Sequence, residues 1–253
     1  DLIRNFFFAH LESQEVAEVQ YDQYWKPMEE RLNNDQGHIS SFIRHYCMKE
    51  GHIIRHGEIF EKIRRRYQYA SPDEIRSLLV DMSRSSEYYR VILFPEQQEE
   101  NSFVRKDICK SLERIKRVGK RAPAPFLLLL LAAYDRKKDS NAPLSDDELY
   151  EILSHIESYL IRRAVCLRGD VGYEEVFEIL CRAATEGQGY LTADETRSLI
   201  ASLQSPFDMP DDDEFTDHLR YSDLYYPDSD NDLAYVILEG LEEYFSSQSR
   251  SAD

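Results

Sequence analysis

The amino-acid sequence predicts an all-α protein, a multi-helix array of about 10–12 mostly short helices with no substantial sheet. Three segments have the pattern of a helix start, in which a hydroxyl residue is followed three positions later by glutamate: Ser71 to Glu74, Ser145 to Glu148 and Thr192 to Glu195. After the second of these, apolar residues recur at three- and four-residue spacing as far as Ala164, which is typical of one apolar helix face. No segment shows a sustained two-residue alternation, the pattern of a half-buried strand.

Turn-forming residues divide the chain into its elements. The run NNDQG at residues 33–37 ends the second predicted helix, Pro95 follows the helix that Ser71 begins, and the Pro123 to Pro125 turn precedes the apolar run FLLLLLAA. That run is far shorter than the ~20 residues that cross a bilayer, so it predicts a buried helix. The predicted helices span residues 2–12, 14–33, 38–49, 56–68, 72–88, 103–117, 124–135, 146–167, 173–185, 193–203, 211–220 and 232–246.

The chain divides into three predicted regions. Residues 1–95 form an N-terminal helical subdomain, residues 96–245 form a C-terminal helical subdomain, and residues 246–253 form a flexible tail of mostly small polar residues. The first residues already resemble the middle of a helix and lack an initiating methionine, so we expect the chain to be a piece of something longer.

Charge is abundant and unevenly distributed. The 253 residues carry 48 Asp and Glu against 31 Lys and Arg, a formal net charge of −17, which excludes a protein that binds nucleic acid over its whole surface. Residues 105–138 hold eleven basic against three acidic residues, whereas residues 194–245 hold two against fifteen. Both stretches are compatible with solvated helix faces; alternatively, the basic one faces DNA or an acidic neighbour and the acidic one faces a basic domain.

Cysteine usage and targeting signals indicate the compartment. The four cysteines, Cys47, Cys109, Cys166 and Cys181, are far apart and form no CxxC pair, which predicts reduced core thiols in a cytoplasmic protein. No signal peptide and no membrane-spanning run is present, so we expect no membrane partner.

Two groups of candidate metal ligands are present. A zinc hypothesis rests on His45, Cys47, His52 and His56, although their spacing matches no common structural zinc module. A calcium-loop pattern over Asp228, Asp230, Asp232 and Glu239 has Leu233 where the loop needs glycine, so capping of the last helix is the preferred interpretation. The acidic run at residues 211–214 likewise marks a helix start.

The most unusual local feature is the helix segment IESYLIRRAVC at residues 156–166, which has two arginines inside an apolar pattern. Arg162 and Arg163 either lie along the core with their charged ends paired or form a basic spot beside a groove. The simpler interpretation is that Arg162 pairs with a carboxylate across a helix–helix contact. Glu157 has the wrong helical offset to pair ideally with either arginine.

This segment is similar to the IESYLxRRxxC region of the GmrSD-like family of type IV, modification-dependent restriction endonucleases. Further matches follow in the family's order: DLIRN at residues 1–5, YWKPME at residues 24–29, FIRHY at residues 42–46, PFLL at residues 125–128 and PDDDEF at residues 210–215. One departure is that Cys166 is followed by Leu167 and Arg168 before Gly169, where the family has glycine directly after cysteine. The ordered set covers nearly the whole chain.

The resemblance implies a central helical region between two catalytic domains. The family has a ParB-like N-terminal domain with a DGQQR-type motif and an HNH-type C-terminal domain, and neither motif occurs in these residues. The resemblance therefore implies that the parent protein uses a nucleoside triphosphate and a divalent metal to cleave modified foreign DNA. No catalytic, cofactor-binding or metal-binding residue is assigned here, and we expect no catalysis from this chain alone.

The predicted function is a helical connector of a phage-defence DNA endonuclease, whose partners are the flanking nuclease domains and double-stranded DNA. The candidate nucleic-acid or interdomain contacts are Arg114, Lys116, Arg117, Lys120, Arg121, Arg162 and Arg163. The alternative is a free-standing helical protein–protein interaction module with segregated charge. A third hypothesis is a metal-dependent enzyme that uses the histidine cluster.

Overall fold

The computed structural model describes residues 2–98, 103–135, 143–168, 172–224 and 232–250, with side chains as far as residue 245, and within these ranges it is helical without a strand. The all-α prediction is therefore confirmed. The helices are α1 (Leu2–Phe8), α2 (Gln14–Gln20), α3 (Lys26–Arg31), α4 (Gln36–Met48), α5 (Ile59–Tyr67), α6 (Pro72–Leu93), α7 (Lys106–Gly119), α8 (Ala124–Asp135), α9 (Asp146–Val165), α10 (Tyr173–Glu186), α11 (Ala193–Ala201), α12 (Asp212–Tyr221) and α13 (Asp232–Arg250).

Helix α8, the predicted buried helix, lies at the centre of the array. It contacts α4, α6, α9 and α10, and most of its side chains are buried. One continuous cluster of buried apolar side chains extends from Phe7 in α1 to Ile200 in α11, so it includes residues on both sides of Pro95. The division into subdomains 1–95 and 96–245 stays a prediction. None of the described helices is long and apolar enough to cross a membrane.

Several element bounds differ from the prediction. Residues 14–33, predicted as one helix, form α2, a π-helical turn over Tyr21–Trp25, and α3. Helix α6 extends five residues beyond the predicted end, because Tyr89 and the apolar residues up to Leu93 are buried in the core. Helix α13 continues to Arg250, into the predicted tail.

Two of the three predicted helix starts are complete capping boxes. The Ser71 hydroxyl accepts the Glu74 backbone N–H while the Glu74 carboxylate accepts the Ser71 N–H, and Thr192 and Glu195 repeat the arrangement. At the third, Ser145 accepts the Glu148 N–H, but Glu148 instead accepts the backbone N–H of Ala193 at 2.9 Å. Glu148 therefore stabilises the start of α11, because it lies within reach of that helix as α9 packs against it.

Replacing Ser71 by alanine is expected to lower the free energy of unfolding by about 1 kcal/mol, because the first turn of α6 loses a cap. Chemical denaturation measures the loss. Ser77 in the same helix is exposed and caps nothing, so Ser77→Ala is the matched control and should leave stability within about 0.5 kcal/mol of the native chain. Equal effects of the two substitutions would contradict the capping role.

Candidate nucleic-acid interface

A cleft of about 540 Å³ lies at the C-terminal end of α7, where the chain turns into α8. Its wall also includes His38 from α4, Phe94 after α6 and Asp232 at the start of α13. Four of the seven predicted contact residues line it: Lys116, Arg117, Lys120 and Arg121. We call these four residues and the space between them the basic cleft.

Close packing of α7 against α9 positions the basic cleft. A Cβ atom at Gly119 would come within 2.8 Å of the Leu160 Cδ1 atom and 2.9 Å of the Pro123 Cγ atom, so a larger residue would force these buried side chains to shift. Lys120 follows with a positive φ of 53°, which ends the helix and changes the chain direction. The last turn of α7 and the residues directly after it therefore place their basic side chains beside the same opening.

The cleft residues are held by neighbouring groups but keep solvent access. The Lys116 ammonium donates to the Leu93 carbonyl at 2.6 Å, and Arg117 donates to Asp232 at 2.8 Å. Arg121 donates to the uncharged Ser41 hydroxyl at 2.8 Å. Lys120 and Arg121 are exposed, and Lys116 and Arg117 are half-buried. The cleft therefore combines positional order with cations that an external anion can reach.

Arg114, one turn earlier in α7, faces inward instead. Its guanidinium donates to Glu157 of α9 at 2.8 Å and to Glu243 of α13 at 3.0 Å, and a Glu239 oxygen lies 3.9 Å away. Only 5% of Arg114 is exposed. Burial raises the pKa of Glu157 above its usual range even though Arg114 lowers it. The structure thus assigns Arg114 to a three-helix ionic contact outside the basic cleft.

The adjacent arginines of α9 join that helix to the segment before α12. Arg163, 1% exposed, donates to the carbonyls of Pro206 at 2.9 Å and Asp208 at 3.1 Å. Arg162 donates to the Pro210 carbonyl and pairs with Asp212. The expected carboxylate partner for Arg162 is confirmed, and both guanidinium groups are directed at this chain's own backbone.

The four residues of the zinc hypothesis do not assemble a ligand set. His45 is buried with its Nδ1 atom 2.8 Å from the Tyr89 hydroxyl, and burial lowers the pKa of this imidazole to about 3. Burial also raises the pKa of the Cys47 thiol to about 12. Within the described part of the chain, these two residues do not join His52 and His56 in a group with metal-ligand separations.

The calcium pattern is only partly visible. Asp228 and Asp230 lie outside the described residues. Asp232 accepts from Arg117, and Glu239 lies near Arg114, so both described carboxylates have internal cationic neighbours.

One group with ligand-like separations was not predicted. Donor atoms of Cys166, Glu214 and His218 lie within 4.8 Å of one another. Packing of α12 against the end of α9 brings them together across about 50 residues of sequence, which no spacing motif reveals. Arg168 donates to both Glu214 oxygens at 2.7 Å, and burial raises the pKa of the Cys166 thiol. Because the carboxylate is already neutralised, we assign no metal to this group.

Comparison of the chain with protein-family models, with curated protein sequences and with solved structures found no significant match.

Proposed function

We propose that this chain is the helical connector of a modification-dependent, phage-defence DNA endonuclease, where it positions flanking catalytic domains and contacts double-stranded DNA through the basic cleft. The family assignment is supported by the ordered motifs from DLIRN at residues 1–5 to PDDDEF at residues 210–215. The DNA contact is supported by the basic cleft, where four cations from one helix end line one opening.

Electrostatics decide which of the predicted residues are suited to this role. Phosphate contacts need accessible cations, because DNA affinity comes largely from the counterions released when Lys and Arg approach the backbone. Lys120 and Arg121 satisfy this directly, and Lys116 is partly accessible. The acidic surface elsewhere acts weakly at the cleft once charges are separated by more than about 10 Å at 0.1 M salt.

Duplex binding tests this contact. Replacement of Lys116, Lys120 and Arg121 by glutamine is expected to weaken binding of a short DNA duplex at low salt by about tenfold or more. The dependence of log affinity on log salt should become shallower by roughly two to three units, since each lost phosphate contact removes about 0.9. Fluorescence anisotropy over a salt series measures both quantities.

The matched control removes the same charge elsewhere. Lys62, Arg64 and Arg65 are exposed on α5, so their replacement by glutamine changes the net charge identically without touching the cleft. We expect this variant to keep most of the affinity. Equal losses of DNA affinity in both variants would show that net charge, and not the basic cleft, determines binding. A native chain that binds no duplex would contradict the DNA contact.

A separate observation tests the connector role. The gene should continue beyond residues 1 and 253 and encode a DGQQR-type sequence on one side and an HNH-type sequence on the other. A reading frame confined to these residues would favour the free-standing protein–protein interaction module instead.

A further inference from the structure

Helix α13 packs onto the array through its acidic side. Glu243 accepts from Lys110 at 2.7 Å and from Arg114 at 3.0 Å, and Asp232 accepts from Arg117 at 2.8 Å. Between them Val236 is buried. Ion pairs therefore hold α13 to α7, with Val236 buried between them, and α13 also lies against α9.

The opposite side of α13 is apolar and exposed. Leu238 is 66% exposed, Leu241 48% and Phe245 65%. A surface helix normally turns its apolar stripe to the core and its charges to water, and α13 has the reverse arrangement. Large apolar side chains grouped on a surface mark an interaction site. We call Leu238, Leu241 and Phe245 the α13 outer face.

We propose that the α13 outer face docks a basic amphipathic helix of a partner protein. Its three residues follow one another at spacings of three and four, the spacing of a helix–helix seam, so a second helix is the element that fits along it. Exposed Glu242 lies beside the seam, and residues 232–245 contain no lysine or arginine that would neutralise it; the other three acidic residues of this stretch face α7. Lysines or arginines flanking the partner's apolar stripe complement this charge.

Charge also distinguishes this partner from a second copy of the chain. Two outer faces brought together would bring two Glu242 carboxylates to the same seam, on chains that each carry a net charge of −17. Like charges across an interface disfavour association. A basic helix meets the same apolar stripe with attraction instead of repulsion.

A defined peptide tests the proposal on the whole chain. The probe is a fluorescent peptide of about 18 residues, five helical turns, with leucine along one face and lysine elsewhere. We expect it to bind the native chain and to bind Leu238→Ser/Leu241→Ser about tenfold more weakly, because two central apolar anchors are lost. Binding should weaken with added salt, and a peptide with glutamate in place of lysine should bind about tenfold more weakly or not at all.

Controls separate the α13 outer face from general stickiness. Leu2→Ser/Tyr69→Ser removes two exposed apolar side chains outside α13 and should leave peptide affinity unchanged. Glu242→Lys keeps the apolar stripe and should weaken binding by charge alone, so the proposal stays testable if the serine variant folds poorly. Equal affinity for native and serine chains, preference for the acidic peptide, or a dimer that the serine substitutions dissociate would each overturn the proposal.

Discussion

Replacing Arg163 by methionine is expected to lower the free energy of unfolding by about 2 to 3 kcal/mol, because a buried charged donor of two hydrogen bonds is lost. The guanidinium is 1% exposed and donates to two backbone carbonyls, at Pro206 and Asp208. It also lies 5.6 Å from the Tyr159 ring centroid and 5.8 Å from that of Tyr173. Methionine fills much of the volume but leaves those carbonyls without this donor.

Thermal and chemical denaturation measure the loss, which corresponds to a fall in Tm of roughly 5 to 10 °C at about 2 to 4 °C per kcal/mol for a chain of this size. Arg162→Met is the matched control, because the neighbouring side chain is 20% exposed and its Asp212 partner 86% exposed. An exposed pair of that kind contributes about 1 kcal/mol or less. Similar losses for both arginines would show that burial does not set the effect.

The sequence makes the local part of this fold predictable. Capping residues and apolar spacing lie within a few positions of one another, so Ser71, Thr192 and the apolar run of α8 could be interpreted without knowledge of the packing. Errors occur where tertiary contacts override local signals. Helix α6 continues past its predicted end because the following residues are buried. The Glu148 carboxylate accepts the backbone N–H of Ala193 at the start of α11 instead of completing the capping box of α9.

From the sequence, the candidate site could be predicted only as an excess of basic residues along one stretch of the chain. The basic stretch was visible, but which of its residues face solvent depends on how α7 lies against α9 and α13. Arg114 and Lys116 are two positions apart, yet the first is buried among glutamates and the second lines the cleft. The helical offset of Glu157 excluded an ideal ion pair with Arg162 or Arg163, and Glu157 instead pairs with Arg114, 43 residues away in the sequence. Partners at such separations leave no periodic signal.

Replacing Arg114 by methionine should destabilise the chain by about 3 to 5 kcal/mol at pH 8. Arg114 is the cation that α7 supplies to Glu157 of α9 and to Glu239 and Glu243 of α13. Without it, the half-buried Glu157 carboxylate loses its hydrogen-bonded cation while the two nearby glutamates continue to repel it. Lys110→Met removes the same charge from an exposed pair on the same helix and should cost about 1 kcal/mol or less.

The loss should depend on pH in a definite direction. Burial raises the pKa of Glu157 in the folded chain above its value in the unfolded chain. The contribution of Glu157 to the free energy of unfolding is therefore fully present below the unfolded pKa and is lost as the pH rises through the folded pKa. Removal of Arg114 takes away an interaction that lowers this pKa, so the Glu157 pKa rises further, and the loss of stability extends over a wider pH range and becomes larger. The deficit of Arg114→Met should therefore be largest at pH 8 and smallest near pH 4, as denaturation over a pH series measures.

A double substitution identifies the responsible carboxylate. Adding Glu157→Gln to Arg114→Met removes the uncompensated charge and should recover about 1 to 2 kcal/mol at pH 8, a coupling within the range for contacting residues. The double variant should also lose most of the extra pH dependence, because glutamine does not titrate in this range. If the deficit of Arg114→Met is instead constant from pH 4 to pH 8 and unaffected by Glu157→Gln, Arg114 acts through packing of its aliphatic stem, and the ion pair with Glu157 is not what it contributes.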